Sequence, residues 1–302
     1  MNYHVPVMLR EVIDFLDPKP GAVYVDATLG TGGHTEIILK RGGRVIGIDV
    51  DQEVLNIAKE RLARFGERIT YIHTNFSKLN QVLDGLKLET VKGIIYDLGT
   101  NLVQLENPER GFSLYRDGPL DMRMDRSLPI TCQDLVNNLP EDRLREIIRN
   151  YGEERWAKRI ARKIVKERKS KPIETTLQLA HIVEETVFWK GCHKKKGDIH
   201  LATKTFQALR IVVNDELDSL KDSLKGVITY LEPGGRIIVL SFHSLEDRIA
   251  KHTFLEWAKS DPPLVKILTK KPLVPTEVEI KGNPRARSAK LRVAERIPLR
   301  EK

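Results

Sequence analysis

The stretch Asp26-Ala-Thr-Leu-Gly-Thr-Gly-Gly-His34 follows an apolar run, Val23 to Ala27, that reads as a strand, and a helix is expected to begin near His34. Gly30, Gly32 and Gly33 lie between the two, where backbone approaches a ligand and side chains would collide. Strand, glycine-rich turn and helix in that order make a cofactor turn. Against a dinucleotide fingerprint Gly30 and Gly32 fit, but the third glycine position is Thr35, so a pyrophosphate is poorly matched. The carboxylate and amine of a methionine-derived cofactor tolerate the looser turn, which points to S-adenosylmethionine. Asp49 ends the next strand, seventeen positions after Gly32, where an acid accepts both ribose hydroxyls of an adenosine. The alternative for the same residues is a tight strand-to-helix turn and an ordinary helix-capping Asp.

The flanking pattern makes this turn part of an α/β sheet. Val45 to Asp49, Ile69 to His73 and Gly93 to Leu98 read as further strands. Asp51 caps a helix whose Val54, Leu55, Ala58, Leu62 and Phe65 recur at helical spacing. From about Gln104 the pattern changes. The loop residues ENPERGFSLYRDGPLDMRMD lead into the apolar stripes Leu144, Ile147, Ile148, Tyr151 and Trp156, Ile160, Ile164. Thr175 with Gln178 has capping-box spacing before a helix containing Ala180, Val183 and Val187. One long helix is then expected, burying Phe206, Leu209, Val213, Leu217, Leu220 and Leu224 and stopped by Pro233-Gly234-Gly235. A fifth strand follows, Arg236 to Ser241, and Ser244 with Asp247 caps the next helix. Leu264 to Leu268 and Ser288 to Ile297 read as an antiparallel edge pair. The expected organisation is an α/β domain of residues 1–104 and 205–302 with a helical insert, 105–204.

Composition bounds the partners. A chain of 302 residues, 40% apolar, buries a sizeable core, and no apolar run reaches the length of a membrane span. The first residues carry acids where a signal peptide needs basic then apolar residues, so the cytoplasm is expected. Two distant cysteines, Cys132 and Cys192, fit a reducing compartment. A net charge of +9 favours a polyanionic partner without naming it. No metal is expected, because Cys192, His193 and His200 lack a fourth ligand and paired spacing. Ser241-Phe-His-Ser244 lacks the G-x-S-x-G elbow of a hydrolase.

Phe76, after the third strand, is placed to pack on an adenine or to serve as a core aromatic. Asp97 ends the fourth strand at the carboxyl edge of the sheet, where substrates of such folds bind. Many amino-methyltransferases carry Asp/Asn-Pro-Pro-aromatic here. This chain has Asp97-Leu98-Gly99-Thr100, and the tetrad names no acceptor.

Longer strings narrow the reading: RGFSLYRDGPLDMRMD (Arg110 to Asp125), FQALRIVVNDEL (Phe206 to Leu217), PGGR with SFHSLEDRI (Pro233 to Ile249) and NPRARSAKLRVAER (Asn283 to Arg296). Together, and from His4-Val-Pro-Val-Met8 onward, the chain resembles the bacterial 16S ribosomal RNA cytosine-N4 methyltransferase family of the MraW type. The resemblance implies a class I, Rossmann-like S-adenosylmethionine-dependent methyltransferase sheet with an inserted helical domain that helps to recognise RNA. It implies methylation of the N4 amine of one cytosine in the decoding region of the small ribosomal subunit. The family's cofactor contacts fall on Gly32, Gly33, His34, Asp49, Phe76, Asp97 and Gln104; His34 and Gln104 come from the resemblance alone. The family continues Asp-Leu-Gly with Val-Ser-Ser, and Thr100-Asn101-Leu102 departs from it, so its serine hydroxyls are not carried over.

Asp97 is the candidate catalytic acceptor by position, with Asp117 and Asp121 as alternatives that also read as salt-bridge partners of Arg116 and Arg123. Phosphate contact is expected from Arg285, Arg287, Lys290 and Arg292, and from Arg155 to Lys171, which read equally as solvated helix faces; Lys194 to Lys196 fall in a loop. Competing functions are a non-catalytic RNA-binding ribosome-assembly protein on the same fold and a methyltransferase for another acceptor. A nicotinamide oxidoreductase is disfavoured by Thr35.

Overall fold

A computed structural model describes residues 6–188 and 200–298; His4, Val5, Cys192, His193 and Lys194 to Lys196 lie outside them. The chain forms two compact units, Met1–Gly99 with Leu217–Lys302, and Thr100–Glu216. The first begins α1 (Leu9–Leu16), β1 (Val23–Asp26), α2 (Gly33–Lys40), β2 (Arg44–Asp49), α3 (Gln52–Leu62), β3 (Ile69–His73), α4 (Leu79–Gly85), β4 (Val91–Asp97). The second holds α5 (Leu102–Glu106), α6 (Cys132–Asn138), α7 (Glu141–Gly152), α8 (Ala157–Arg168), α9 (Thr176–Phe188) and α10 (Thr203–Val213). The chain returns through α11 (Glu216–Val227), β5 (Leu231–Ser241), α12 (Ser244–Lys259), β6 (Val265–Ile267), α13 (Glu277–Gly282) and β7 (Lys290–Arg296).

The sheet order is β3-β2-β1-β4-β5-β7-β6. The first five strands are parallel, and β7 and β6 add antiparallel at the edge, as the terminal apolar pattern predicts. Strand residues alternate between two cores. Val25, Ile94, Tyr96, Ile237 and Val239 meet Leu83, Leu220, Leu224 and Phe254 on one face. Tyr24, Val45, Ile95, Ile238 and Leu240 meet Val12, Ile38, Leu55 and Leu62 on the other. Covering both faces is why these strands read as continuous apolar runs. Because β1 lies between β2 and β4, strand order reverses beside it, and the sheet's carboxyl edge opens there.

Three local expectations are corrected. The single helix over 206–224 is two, α10 and α11. Asn214 Nδ2 donates to Met122 O and Arg210 O at 2.8 and 2.9 Å, and Asp215 takes φ +48°, so the helix cannot continue. The apolar period runs through the break because Phe206, Leu209 and Val213 join the helical core of the second unit, while Leu220 and Leu224 join the sheet. The two compact units meet in sequence at 99/100 and 216/217. Pro233-Gly234-Gly235 does not stop a helix. It lies inside β5, in a register shift where Val91 pairs Leu231 and Gly93 pairs Arg236, and the helical path of α11 is broken instead at Lys225 and Gly226, the latter with φ +89°. Finally, α12 is capped by His243, whose side chain accepts from Glu246 N–H while Glu246 accepts in return; Ser244 is already helical.

Candidate active site

β1, β2 and β4 end in Asp26, Asp49 and Asp97, so three carboxylates share the carboxyl edge of neighbouring parallel strands. The glycine-rich turn runs past them, stitched to the sheet by Ala27 N–H to Ile95 O at 2.9 Å and Leu29 N–H to Ile48 O at 2.8 Å. Gly32 caps α2 with φ +80°, and a Cβ there would meet Leu62 Cδ1 at 2.6 Å; one on Gly33 would meet Pro6 Cγ at 2.3 Å. These two glycines are required by the turn's own packing as well as by ligand approach.

Asp26 accepts from the Thr35 hydroxyl at 2.7 Å and from Thr28 N–H at 3.3 Å. Thr35, the misfit of a dinucleotide fingerprint, thus anchors the turn to the sheet. Asp49 accepts from Gly30 N–H at 2.7 Å and Asp51 N–H at 2.9 Å, and Asp51 in turn caps α3 as expected. Asp97 is anchored by its own amide, which donates to Thr28 Oγ1 at 2.6 Å. Its carboxylate lies 3.5 Å from His34 Nδ1. Burial pushes Asp26 and Asp49 up to about 6. Burial, then the negative charges of Asp26 and Glu246, pushes Asp97 up to about 8. Phe76 packs edge-on against Tyr96, centroids 6.0 Å apart, at the border of the core.

Among the described residues no lysine or arginine pairs with any of these three carboxylates. A desolvated acidic cluster of that kind is stabilised by a bound cation. The first amides of α2 offer an anion site beside it. Ammonium and sulfonium for the acids, carboxylate for the helix end, and hydroxyls for Asp49 are the groups of S-adenosylmethionine, and the residues present fit it.

The remaining expected site residues lie on other elements. In the second unit Gln104 is buried and closes a capping box with Asn101, at the position where the chain departs from the family pattern. Asp117 is exposed and accepts from Leu177 N–H at 3.2 Å; a hydrogen bond from Thr175 holds it below the usual carboxylate range. Asp121 is buried, which raises its pKa, but paired hydrogen bonds from Arg123 at 2.7 and 2.9 Å bring it below the ordinary value. His200 Nε2 lies 3.1 Å from Glu184. In the first unit Arg287 is exposed, whereas Arg292 is buried and donates to both oxygens of Asp247 at 2.6 and 3.2 Å. Lys290 lies 3.6 Å from the same carboxylate. Asp26, Thr28, Thr35 and Glu246 are the site residues that sequence reasoning did not single out. An acid as last strand residue before a glycine turn is a signal for Asp26; nothing local marks Glu246, which reaches the site through the fold.

The chain matches the model of the MraW methylase family over residues 1–297. It is 50% identical over 308 residues to the ribosomal RNA small subunit methyltransferase H of Carboxydothermus hydrogenoformans, covering 97% of this chain and 98% of that one. The proteins of the same name from Halothermothrix orenii and Geobacter sulfurreducens are 48% and 49% identical, covering 98% and 97% of this chain and 99% of each relative. Sheet, glycine turn and strand-end acids accord with that likeness, and the chain belongs to the MraW methylase family.

Proposed function

We propose that this protein transfers a methyl group from S-adenosylmethionine to the N4 amine of a cytosine in the decoding region of 16S ribosomal RNA, within the small ribosomal subunit in the cytoplasm. The observation that carries the reading is Asp97: a partly buried, desolvated carboxylate at the carboxyl end of β4, beside the cofactor turn, with no lysine or arginine partner among the described residues. The relatives' names supply the small-subunit RNA, and the strings at Arg110, Phe206, Ser241 and Asn283 supply the cytosine amine.

When bound, S-adenosylmethionine supplies an electrophilic methyl group on its sulfonium. Gly32, Gly33 and the start of α2 hold its methionine end, Asp49 its ribose and Phe76 its adenine; Gln104 belongs to the same proposed contact set. The amine's lone pair is delocalised into the pyrimidine ring, so it attacks poorly unaided. With the cofactor's positive charge beside it lowering its raised proton affinity, Asp97 would be ionised, accept a hydrogen bond from an N4 proton, hold the amine in line with the methyl group and take the proton after transfer. Asp97 rather than Asp117 or Asp121 suits this role, because those two are held ionised by partners and make poor bases. The cytosine must be unpaired or swung out of its stack. Arg287 and the exposed basic face of α8 are proposed phosphate contacts; Arg285 and Lys290 extend the first group.

The test is nucleoside mass spectrometry of 16S RNA after incubating small subunits with the protein and methyl-labelled S-adenosylmethionine. Label is expected in N4-methylcytidine alone. Label on another base or on protein would establish a different acceptor, and RNA binding without transfer would establish an assembly protein.

A further inference from the structure

His34 lies on the first turn of α2, almost wholly buried, and its two ring nitrogens face different partners. Nε2 is 3.2 Å from the carbonyl oxygen of Val7. A carbonyl only accepts, so Nε2 carries the hydrogen, and in the neutral ring Nδ1 holds the lone pair. Nδ1 is the nitrogen 3.5 Å from Asp97 Oδ2.

Val7 is held where it can do this. Met8 N–H donates to Glu279 Oε1 at 2.6 Å, bringing the start of α13 onto the segment. Met8 takes φ +49°, and Pro6 sits against Gly33 with no room for a Cβ between them. From Glu279 through Met8 and Val7, the fold selects which imidazole nitrogen faces the strand-end acid.

We infer that His34 is a positioning residue for methyl transfer: with its tautomer set by the Val7 carbonyl, its Nδ1 orients Asp97 and then relieves it of the proton taken from the methylated amine. The inference rests on the proposed reaction. As the methyl–sulfur bond breaks and the N4–carbon bond forms, the amine becomes cationic. Its N–H bond breaks and Asp97 gains the proton. The Asp97 O–H bond then breaks, an N–H bond forms at Nδ1, and the imidazolium keeps its Nε2–H on Val7 until it loses the new proton to solvent. Among the described residues, the charges that act on Asp97 are acidic: Asp26, joined to the next residue of α2 through the Thr35 hydroxyl, and Glu246 at the start of α12, which is itself 3.2 Å from His243 Nε2. These negative charges raise the proton affinity of Asp97, and an imidazolium formed at Nδ1 is likewise stabilised by them.

Nitrogen-15 histidine NMR on the ligand-free chain tests the geometry without turnover. His34 is expected as the Nε2–H tautomer, with a titration midpoint that falls by about one pH unit or more in Asp97→Asn. Single-turnover kinetics test the proton transfer. His34→Gln keeps a donor for Val7 but accepts no proton at neutral pH. It is expected to slow transfer at saturating cofactor about 100-fold and to remove the histidine limb of the pH profile, a loss that raising the cofactor concentration does not restore. An Nδ1–H tautomer, a His34 titration indifferent to Asp97→Asn, or a variant that weakens cofactor binding yet transfers at the wild-type rate when saturated would each overturn it. If the wild-type chain transfers methyl to no form of the small subunit, the reaction falls and the relay with it, while the NMR result separately decides the tautomer lock.

Discussion

Asp97, at the end of β4, carries the proposed chemistry, and its replacement is the most direct prediction. Asp97→Asn keeps the shape but cannot take a proton, and is expected to lower labelled-methyl incorporation into 16S RNA by at least about 100-fold. Incorporation within tenfold of wild type would remove Asp97 from the chemistry. Gly32→Ala forces a side chain into left-handed backbone and onto Leu62, and is expected to destabilise the protein by about 1–3 kcal/mol, read as a lower Tm. Asp49 and Asp97 were legible in the sequence because a strand's last residue is located by its apolar run. Asp26 was passed over because its importance lies in a hydrogen bond from Thr35, nine positions away, which only the closed turn brings back.

At the level of elements, like charges have unlike roles. β7 carries Arg292 into a buried pair with Asp247 on α12, while Arg287 stands exposed just before the strand. Burial raises Asp247, yet the hydrogen bonds from Arg292 hold it below the usual value. Arg292→Ala leaves that carboxylate only Lys290 and is expected to cost about 1–3 kcal/mol in chemical denaturation, whereas Arg287→Ala leaves stability intact and weakens RNA binding. On α8, Arg159, Arg162 and Lys166 lie exposed at three- and four-residue spacing, and the guanidinium groups of Arg155 and Arg159 lie over the Trp156 ring, 5.0 and 5.1 Å from its centroid. Arg159→Glu combined with Lys166→Glu is expected to lower RNA affinity about tenfold and flatten its salt dependence by about two ions, with Tm unchanged. Filter binding across a salt series reads both. Helical period located these elements. It did not reveal the break at Asn214, since an apolar stripe continues wherever both halves are buried, whichever core receives them.

Over the whole molecule, three desolvated strand-end acids make stability depend on pH. Asp26, Asp49 and Asp97 hold a proton more tightly folded than unfolded, so unfolding releases protons above about pH 4. Stability of the ligand-free chain therefore falls as pH rises, through about 6 for the first two and about 8 for Asp97. Between pH 6.5 and 8.5 the slope belongs mainly to Asp97. Scanning calorimetry is expected to give a higher Tm at the lower of these pH values and a markedly flatter dependence in Asp97→Asn. An equal slope in both proteins would show that Asp97 is not the group responsible. S-adenosylmethionine, by placing positive charge among the acids, is expected to reduce the slope in the wild-type chain.

Periodicity and turn residues were enough to establish the alternating α/β plan, the cofactor turn and the acids at strand ends, because each depends on neighbours within a few positions. Partner choice was not readable in that way. Whether Arg292 meets phosphate or Asp247, whether Asp121 is a base or a strut for Arg123, and which nitrogen of His34 faces Asp97 were decided by folding. A charge acquires its role from the solvent it loses and the group it meets, and for these residues both come from distant parts of the chain.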